Sequence, residues 1–583
     1  MNTPPPTRPH LEADLATWEH HGRPGLPHNG FMLSRPAGQH RRGIYRADTG
    51  AALCEPDEHI LRMEPAPDRQ HITLQLAEHA NEEGYLAILD TTNGHLDRYP
   101  HIRCRYEPMR WATNSTLELV ARTPRALIHL DTANNTHTTT PVTESARVRL
   151  FPGGTHGTLV ESTPGSPTRV INRATNLLIA SYPSVMSVHE LGPHILVHTR
   201  DGIHVVDPHT GVEQWSWCDP NLTITALATT RDTVYVTAVR AAASILLTLV
   251  AGEIRAEQHV QHGGSIAVAT DLRNDGNDTI YALIEAPTLP PHVVTAKAIL
   301  NQSTSLKAQE PLAHTTLHTV LADDGETLTV AVTSPSHTAG PTPLILSCYG
   351  GFGVADLPVF EPTIPAWIQH GGRYATAHVR GGGEHGTTWR EAGRGRNKHR
   401  SIADLECIAR ALIDAELTRP ELLILVGASH GGVLVASCAF GAPELCAAVI
   451  TTAAPLDLLA LEQHPLGAHW IQEFGDPHTS AGRDDMQRIS PLHRAQTLPA
   501  GTTPPAFLGI VLEHDSRIDA EATHNVAAAL TSHGASATVW QAPNTGHGSN
   551  HLNHLHTLGA VILSFAATAT HTATAPTGRT NTP

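Results

Sequence analysis

The chain has 583 residues, more than one hydrophobic core usually organises, so two domains are expected. Forty per cent of the residues are apolar and 16% charged, a balance that suits a soluble globular protein and excludes a disordered one. Lys and Arg total 39 against 55 Asp and Glu, and the net charge of −16 argues against a nucleic-acid or anionic-membrane partner.

The N-terminus, Met1-Asn2-Thr3-Pro4-Pro5-Pro6, has no basic stretch followed by an apolar one, so no signal peptide is expected, and no apolar run reaches membrane-spanning length. Residues 1–27 are rich in Pro and His and are expected to be loosely ordered. Cys54, Cys104, Cys218, Cys348, Cys407, Cys438 and Cys446 are scattered, with no C-x-x-C, which fits a reducing, cytoplasmic setting without a disulfide frame or zinc site. The 41 histidines are spread along the chain without a metal-ligand spacing, so no metal is expected.

From 28 to 322 the texture is short alternating strands between Gly, Asp, Asn and Thr turns, with almost no helical period. One unit recurs: an apolar strand, an Asp-Thr turn, another strand. It appears at Ile44–Gly50, Leu86–Thr92, Leu127–Thr132 and Ile203–Pro208, and in weaker form at Val170–Arg173, Leu247–Gly252 and Val293–Ala296. A spacing of about 40–45 residues is that of a four-stranded propeller blade. Seven echoes predict a seven-bladed β-propeller, with six or eight blades as neighbouring counts and an irregular sandwich as the other all-β solution.

Residues 323–567 alternate strands and helices, the pattern of an α/β domain with a doubly wound, mostly parallel sheet. Strand Leu422–Val426 runs into Gly427-Ala428-Ser429-His430-Gly431 and then a small, apolar helix. That is the nucleophile elbow of an α/β-hydrolase, a sharp turn that only small neighbours permit. Strand Phe507–Leu512 leads to Asp515, and strand Ala537–Trp540 to His547. The order Ser429, Asp515, His547 is that of α/β-hydrolases. A serine hydroxyl needs an imidazole to take its proton, and the imidazole needs a carboxylate to fix its tautomer. The tail 568–583, rich in Ala, Thr and Pro, reads as disordered.

A propeller followed by this hydrolase pattern resembles the prolyl oligopeptidase family of serine peptidases. Tyr349-Gly350-Gly351-Phe352-Gly353, Arg380-Gly381-Gly382-Gly383-Glu384-His385-Gly386 and Ala392-Gly393-Arg394 with Asn397-Lys398 carry the likeness beyond the triad. The resemblance implies an oxyanion hole made by the Tyr349 phenol and the His430 N–H, and Arg517 holding a substrate carbonyl. It also implies that Trp470 stacks on a substrate proline in an apolar pocket with Phe352, Phe474 and Ile518. Oligopeptidase B-type relatives place acidic residues in this segment; here only Glu473 keeps its charge, which favours proline over Lys or Arg. Glu82-Glu83 is a candidate clamp for a substrate amino terminus, as in dipeptidyl peptidases, but reads more simply as an exposed blade turn.

Two features depart from the family: His430 replaces the usual Asn beside the nucleophile, and the N-terminal helical segment that wraps the hydrolase domain is not recognisable. The expected activity is hydrolysis of short peptides after proline by a cofactor-free monomer. The same triad with oligopeptidase B-like, dipeptidyl, acylaminoacyl or esterase specificity is the alternative, and a non-catalytic propeller-based binding protein the distant one.

Overall fold

Seven antiparallel sheets of three or four strands follow one another between Phe31 and Thr295 in the computed structural model, which describes residues 4–78, 83–142, 146–151, 157–262, 265–302, 312–463, 467–515, 517–547 and 552–570. They are the blades of a propeller, spanning residues 31–54, 59–104, 109–141, 147–182, 187–217, 222–259 and 268–295. Each of the seven sequence echoes lies in a different blade, on the third strand in blades 2 to 7. In blade 1 it lies on Gly43–Arg46, and the innermost strand there is reduced to a bridge between Arg23 and Arg35.

Three of the four strong echoes share a side-chain-capped turn. Asp90 Oδ1 accepts from Thr92 N (2.8 Å), Asp131 Oδ1 from Ala133 N (2.9 Å) and Asp207 Oδ1 from His209 N (2.7 Å). Asn172 does the same for Ala174 (2.9 Å), which explains one weak echo. In blade 6 the turn is made by Ala251 and Gly252, both at positive φ, and in blade 7 Thr295 caps a short helix, accepting from Ala298 N (3.2 Å). The echoes weakened where a different device closed the strand.

Among the described residues no strand from one end of the propeller completes the blade at the other. The seam is held by Asn29 N on Asp275 O (2.9 Å), Arg23 on Glu285 (3.2 Å) and Arg273 on His28 (3.1 Å).

The second domain is built on one eight-stranded sheet. Its strands are β1 (Ala313–Leu321), β2 (Thr327–Pro335), β3 (Leu344–Cys348), β4 (Arg373–His378), β5 (Leu423–Ala428), β6 (Ala448–Thr452), β7 (Ala506–Leu512) and β8 (Ala537–Ala542). They lie in the order β1-β2-β4-β3-β5-β6-β7-β8, antiparallel at β1-β2-β4 and parallel from there on. The parallel strands read as apolar runs because helices cover both faces. One face packs on α3 (Lys398–Asp414) and α4 (His430–Gly441), the other on α2 (Thr363–Gln369) and α6 (Leu552–Ala569). The sheet begins at Ala313, some ten residues before the boundary expected from composition.

The N-terminal stretch, expected to be loose, is ordered by the hydrolase domain. Pro9–Glu19 form helix α1, which lays Leu11 and Leu15, each 1% exposed, into the core around α2 and α6. Arg8 N donates to Ser564 Oγ (2.9 Å) and His556 pairs with Glu19 (2.6 Å), so both helix ends are tied to α6. A helical segment therefore does contact the hydrolase domain; its stripe of Leu11 and Leu15 is too narrow to show as a period among Pro and His. Thr568–Thr570 continue and close α6, and 571–583 lie outside the described residues.

The propeller rim meets the hydrolase domain at several points. Ala242 N donates to Glu384 O (3.1 Å), Thr387 N to Pro220 O (3.2 Å), Phe360 N to Glu285 Oε2 (3.1 Å) and Leu552 N to His40 O (3.2 Å). Among the described residues no helix is long and apolar enough to cross a membrane.

Candidate active site

Three strand ends bring the triad together. Ser429 sits between β5 and α4 at φ 51°, ψ −121°, a conformation uncommon for a non-glycine residue that aims its hydroxyl off the sheet edge. The elbow closes only because Gly431 lacks a side chain: a Cβ there would lie 2.1 Å from Cys348 O. β7 and β8 pair in register up to Leu512 and Ala542, so the loops carrying Asp515 and His547 leave side by side. His514 N donates to Thr545 O (2.8 Å) and Asn544 N to Glu513 Oε2 (2.8 Å), fixing those loops together.

His547 Nε2 is 3.2 Å from Ser429 Oγ, and His547 Nδ1 is 2.8 Å from Asp515 Oδ2. The other Asp515 oxygen accepts from Arg517 N (2.8 Å) and Ile518 N (3.1 Å), so the carboxylate is held by two backbone donors. The Asp515 side chain is 4% exposed, which shields its charge for the imidazolium. With Nδ1–H directed at Asp515, Nε2 is left unprotonated to take the serine proton.

Tyr349 follows β3, which pairs in parallel with β5 through Ser347 and Val426. That register places Tyr349 beside the elbow, one strand spacing away. Burial, then Glu473 and Asp356, raises its phenol pKa, with Arg517 opposing, so the group stays protonated and able to donate. The His430 N–H lies in the first turn of α4, where no intrahelical acceptor is available. Arg517 acts electrostatically on Tyr349, which brings it to the same edge.

The His430 side chain, an unfamiliar group next to the nucleophile in the sequence, points away from it. Its Nδ1 donates to Tyr349 O (2.7 Å), and its ring stacks on Phe474 (5.0 Å, 22°) with Phe352 against its edge (5.5 Å). It is 2% exposed, and burial followed by the nearby Lys398 lowers its pKa to about 3, so the ring is neutral. This also accounts for Gly351, since a Cβ there would lie 2.5 Å from the imidazole.

Behind the ring is a buried pair that sequence reasoning missed as a unit: Lys398 Nζ to Glu473 Oε1, 2.7 Å, with both side chains at most 2% exposed. Lys398 also donates to Gly350 O (3.3 Å), and holds the Glu473 carboxyl low against the burial that would raise it. The signal was present in Asn397-Lys398 and Glu473, 75 residues apart, but nothing local in the sequence pairs them.

The expected specificity residues divide. Trp470, on α5 (Gly467–Phe474), is 8% exposed, while Phe352 and Ile518 are half-buried against the hydrolase core. Phe474 is 1% exposed and carries His430 on its face, so it backs the site and does not line it, contrary to the expectation. Glu83 is exposed on a blade and Glu82 lies outside the described residues.

Residues 358–572 match the prolyl oligopeptidase family. These residues form a prolyl oligopeptidase family domain. Over 180 residues, 31% of this chain and 25% of its relative, it is 32% identical to a prolyl endopeptidase of Elizabethkingia meningoseptica. It is 34% identical over 158 residues, 27% and 22% of the two chains, to an uncharacterized peptidase of Sinorhizobium fredii. These matches thus span about a quarter of the relatives' length. The fold matches over the whole chain. A prolyl endopeptidase structure superposes at a TM-score of 0.84 with 19% identity, covering 97% of this chain and 92% of the other. Oligopeptidase B from Leishmania major superposes at 0.78 with 15% identity, covering 97% and 89%.

Proposed function

We propose that this protein is a serine oligopeptidase that hydrolyses short peptides on the carboxyl side of proline, acting as a cytoplasmic monomer. The observation that carries the catalytic part is the hydrogen-bonded chain Ser429–His547–Asp515 at 3.2 and 2.8 Å.

In this reading His547 takes the Ser429 proton as Oγ attacks the scissile carbonyl. The oxyanion that forms accepts from the His430 N–H and the Tyr349 phenol, donors worth about 2.7–4 kcal/mol each when aimed at the tetrahedral intermediate. His547 then gives the proton to the leaving amine, the C–N bond breaks, and an acyl-enzyme remains on Ser429. Water deprotonated by His547 attacks the ester, and the proton returns to Ser429 as the acid leaves. Arg517 orients the peptide by donating to a backbone carbonyl.

Proline specificity is supported by Trp470, whose flat ring suits a residue without an N–H, and by the state of Glu473. A pocket for Lys or Arg needs a free carboxylate. Glu473, the one acid in this segment, is already neutralised by Lys398. Seven unpaired cysteines support the reducing compartment.

The test is kcat/KM on blocked dipeptides with Pro, Ala, Arg or Phe before a chromogenic leaving group. Pro is expected to lead by about tenfold or more, Ser429→Ala to abolish turnover by about 10⁴-fold or more, and Trp470→Ala to cost Pro more than Ala. An Arg preference, or turnover of simple esters alone, overturns the specificity or the peptidase reading respectively.

A further inference from the structure

The propeller channel holds a cavity of about 650 Å³ whose lining is charged. Arg42, Arg62 and Arg273 face it, with Glu64, Asp271, His28, His189 and Arg23, the last paired with Glu285, as the neighbouring titratable groups. The arginines outnumber the carboxylates, and they are not used up. Arg273 donates to the neutral ring of His28 (3.1 Å), and the side chains of Arg42 and Arg62 form no ion pair or hydrogen bond among the described residues. Burial pushes the Glu64 and Asp271 carboxyls up, with Arg62 and Arg273 opposing at Glu64 and Arg273 at Asp271. Arg42 is exposed and Arg62 half-buried, so both guanidinium groups are open to a soluble anion, the charge that a positive cluster attracts even in a molecule of net charge −16.

The backbone is shaped for this. The innermost strands of blades 2, 6 and 7 each carry a register shift, between Ile60 and Arg62, Ile224 and Ala226, and Ala269 and Asp271. Bulges of this kind re-aim side chains, and two of the three sit at Arg62 and Asp271. Arg42 also lines a second cavity, of about 580 Å³, where blades 1 and 2 face Phe360 and the start of α6. Positive charge therefore runs from the hydrolase interface, at Arg42, into the channel at Arg62 and Arg273.

We infer that Arg42, Arg62 and Arg273 form an anion site in the propeller channel that holds a carboxylate of the peptide substrate, remote from the bond that is cut. Guanidinium forks match carboxylate geometry, and a site in the far part of the chamber selects peptides by residues several positions away from the cleaved bond. The carboxylate comes either from a free C-terminus or from an Asp or Glu side chain. The inference rests on the peptidase reading for its meaning, but binding can be measured without turnover.

The experiment uses the full chain carrying Ser429→Ala and four fluorescein-labelled octapeptides with one proline-containing core. One ends in Glu-Glu-amide, one in a neutral free carboxylate, one in a neutral amide and one in Lys-Lys-amide. Anisotropy titrations at about 50 mM salt are expected to give at least one carboxylate peptide about tenfold tighter than the neutral amide, shrinking to about twofold near 500 mM. Which carboxylate peptide gains identifies the source. Adding Arg62→Glu is expected to invert the order in favour of Lys-Lys-amide, an outcome misfolding cannot produce, and adding Arg42→Gln to cut the preference at least about threefold. Equal binding of all four peptides, or an order that survives both variants, overturns the site. If the binding order holds but the wild-type chain cuts none of the peptides, the peptidase reading fails and the site stands.

Discussion

At the scale of single residues, the motif glycines and acids do structural work that the sequence shows only as a pattern. Glu384, in the Arg380–Gly386 segment, is 1% exposed and accepts from Asp356 N (2.6 Å), while its own backbone carbonyl takes the Ala242 N–H from the propeller. Burial pushes its carboxyl up to about 8, against the Asp356 N–H that lowers it, and Asp356 itself is raised to about 7 by burial and Glu361. A carboxyl that keeps its proton when folded and loses it near pH 4.3 when unfolded subtracts stability as pH rises between the two values. Glu384→Gln removes that dependence and keeps the acceptor. Thermal unfolding across pH 5 to 9 is therefore expected to show the variant nearly equal to wild type at the acid end. At the alkaline end it should be more stable, on the order of a few kcal/mol. A constant offset across the range would show that Glu384 is already ionised in the fold.

At the scale of elements, legibility followed how local the signal was. The elbow, the strand ends carrying Asp515 and His547, and the third strand of every blade were readable because each is a strand followed at once by its own turn residues. Trp470 and Glu473 were readable as a segment, but the pairing of Glu473 with Lys398, the burial of Phe474 and the inward turn of the His430 ring depend on α3, α4 and α5 meeting, which no window of sequence contains. Helix α1 was missed for the same reason: it is a helix because α6 and α2 receive Leu11 and Leu15. Leu15→Ala is expected to cost about 2–5 kcal/mol of hydrolase-domain stability in denaturant unfolding, since Leu15 is 1% exposed and packs in the core around α2 and α6. It should leave kcat of the folded fraction unchanged, because α1 covers the face of the sheet opposite α4. A loss below about 1 kcal/mol would mean that α1 is only loosely seated.

At the scale of the whole molecule, the propeller is fastened over the hydrolase domain by bonds from blades 1, 6 and 7, at His40, Ala242 and Glu285, and by Pro220 between blades 5 and 6. Under the proposed oligopeptidase reading, a ring in that position is expected to admit an extended chain and to reject a folded one. A proline-containing decapeptide is expected to be cut with kcat/KM at least about 100-fold above that for the same segment held in a loop of a stable folded domain, about 2.7 kcal/mol of discrimination. Comparable rates would show that the ring does not screen substrates.

The seating of α1 on α6 bears on how a ribosome makes this protein. Helix α1 leaves the exit tunnel with its leucines bare, and the helix that covers them follows only at Leu552–Ala569. At 5–20 residues per second that wait is roughly half a minute to nearly two minutes. In that interval every blade and most of the sheet has emerged. Helices α1 and α6 are joined only after everything between them has been made, and a nascent chain stalled before α6 would present the uncovered Leu11 and Leu15 to whatever chaperone or protease is nearest.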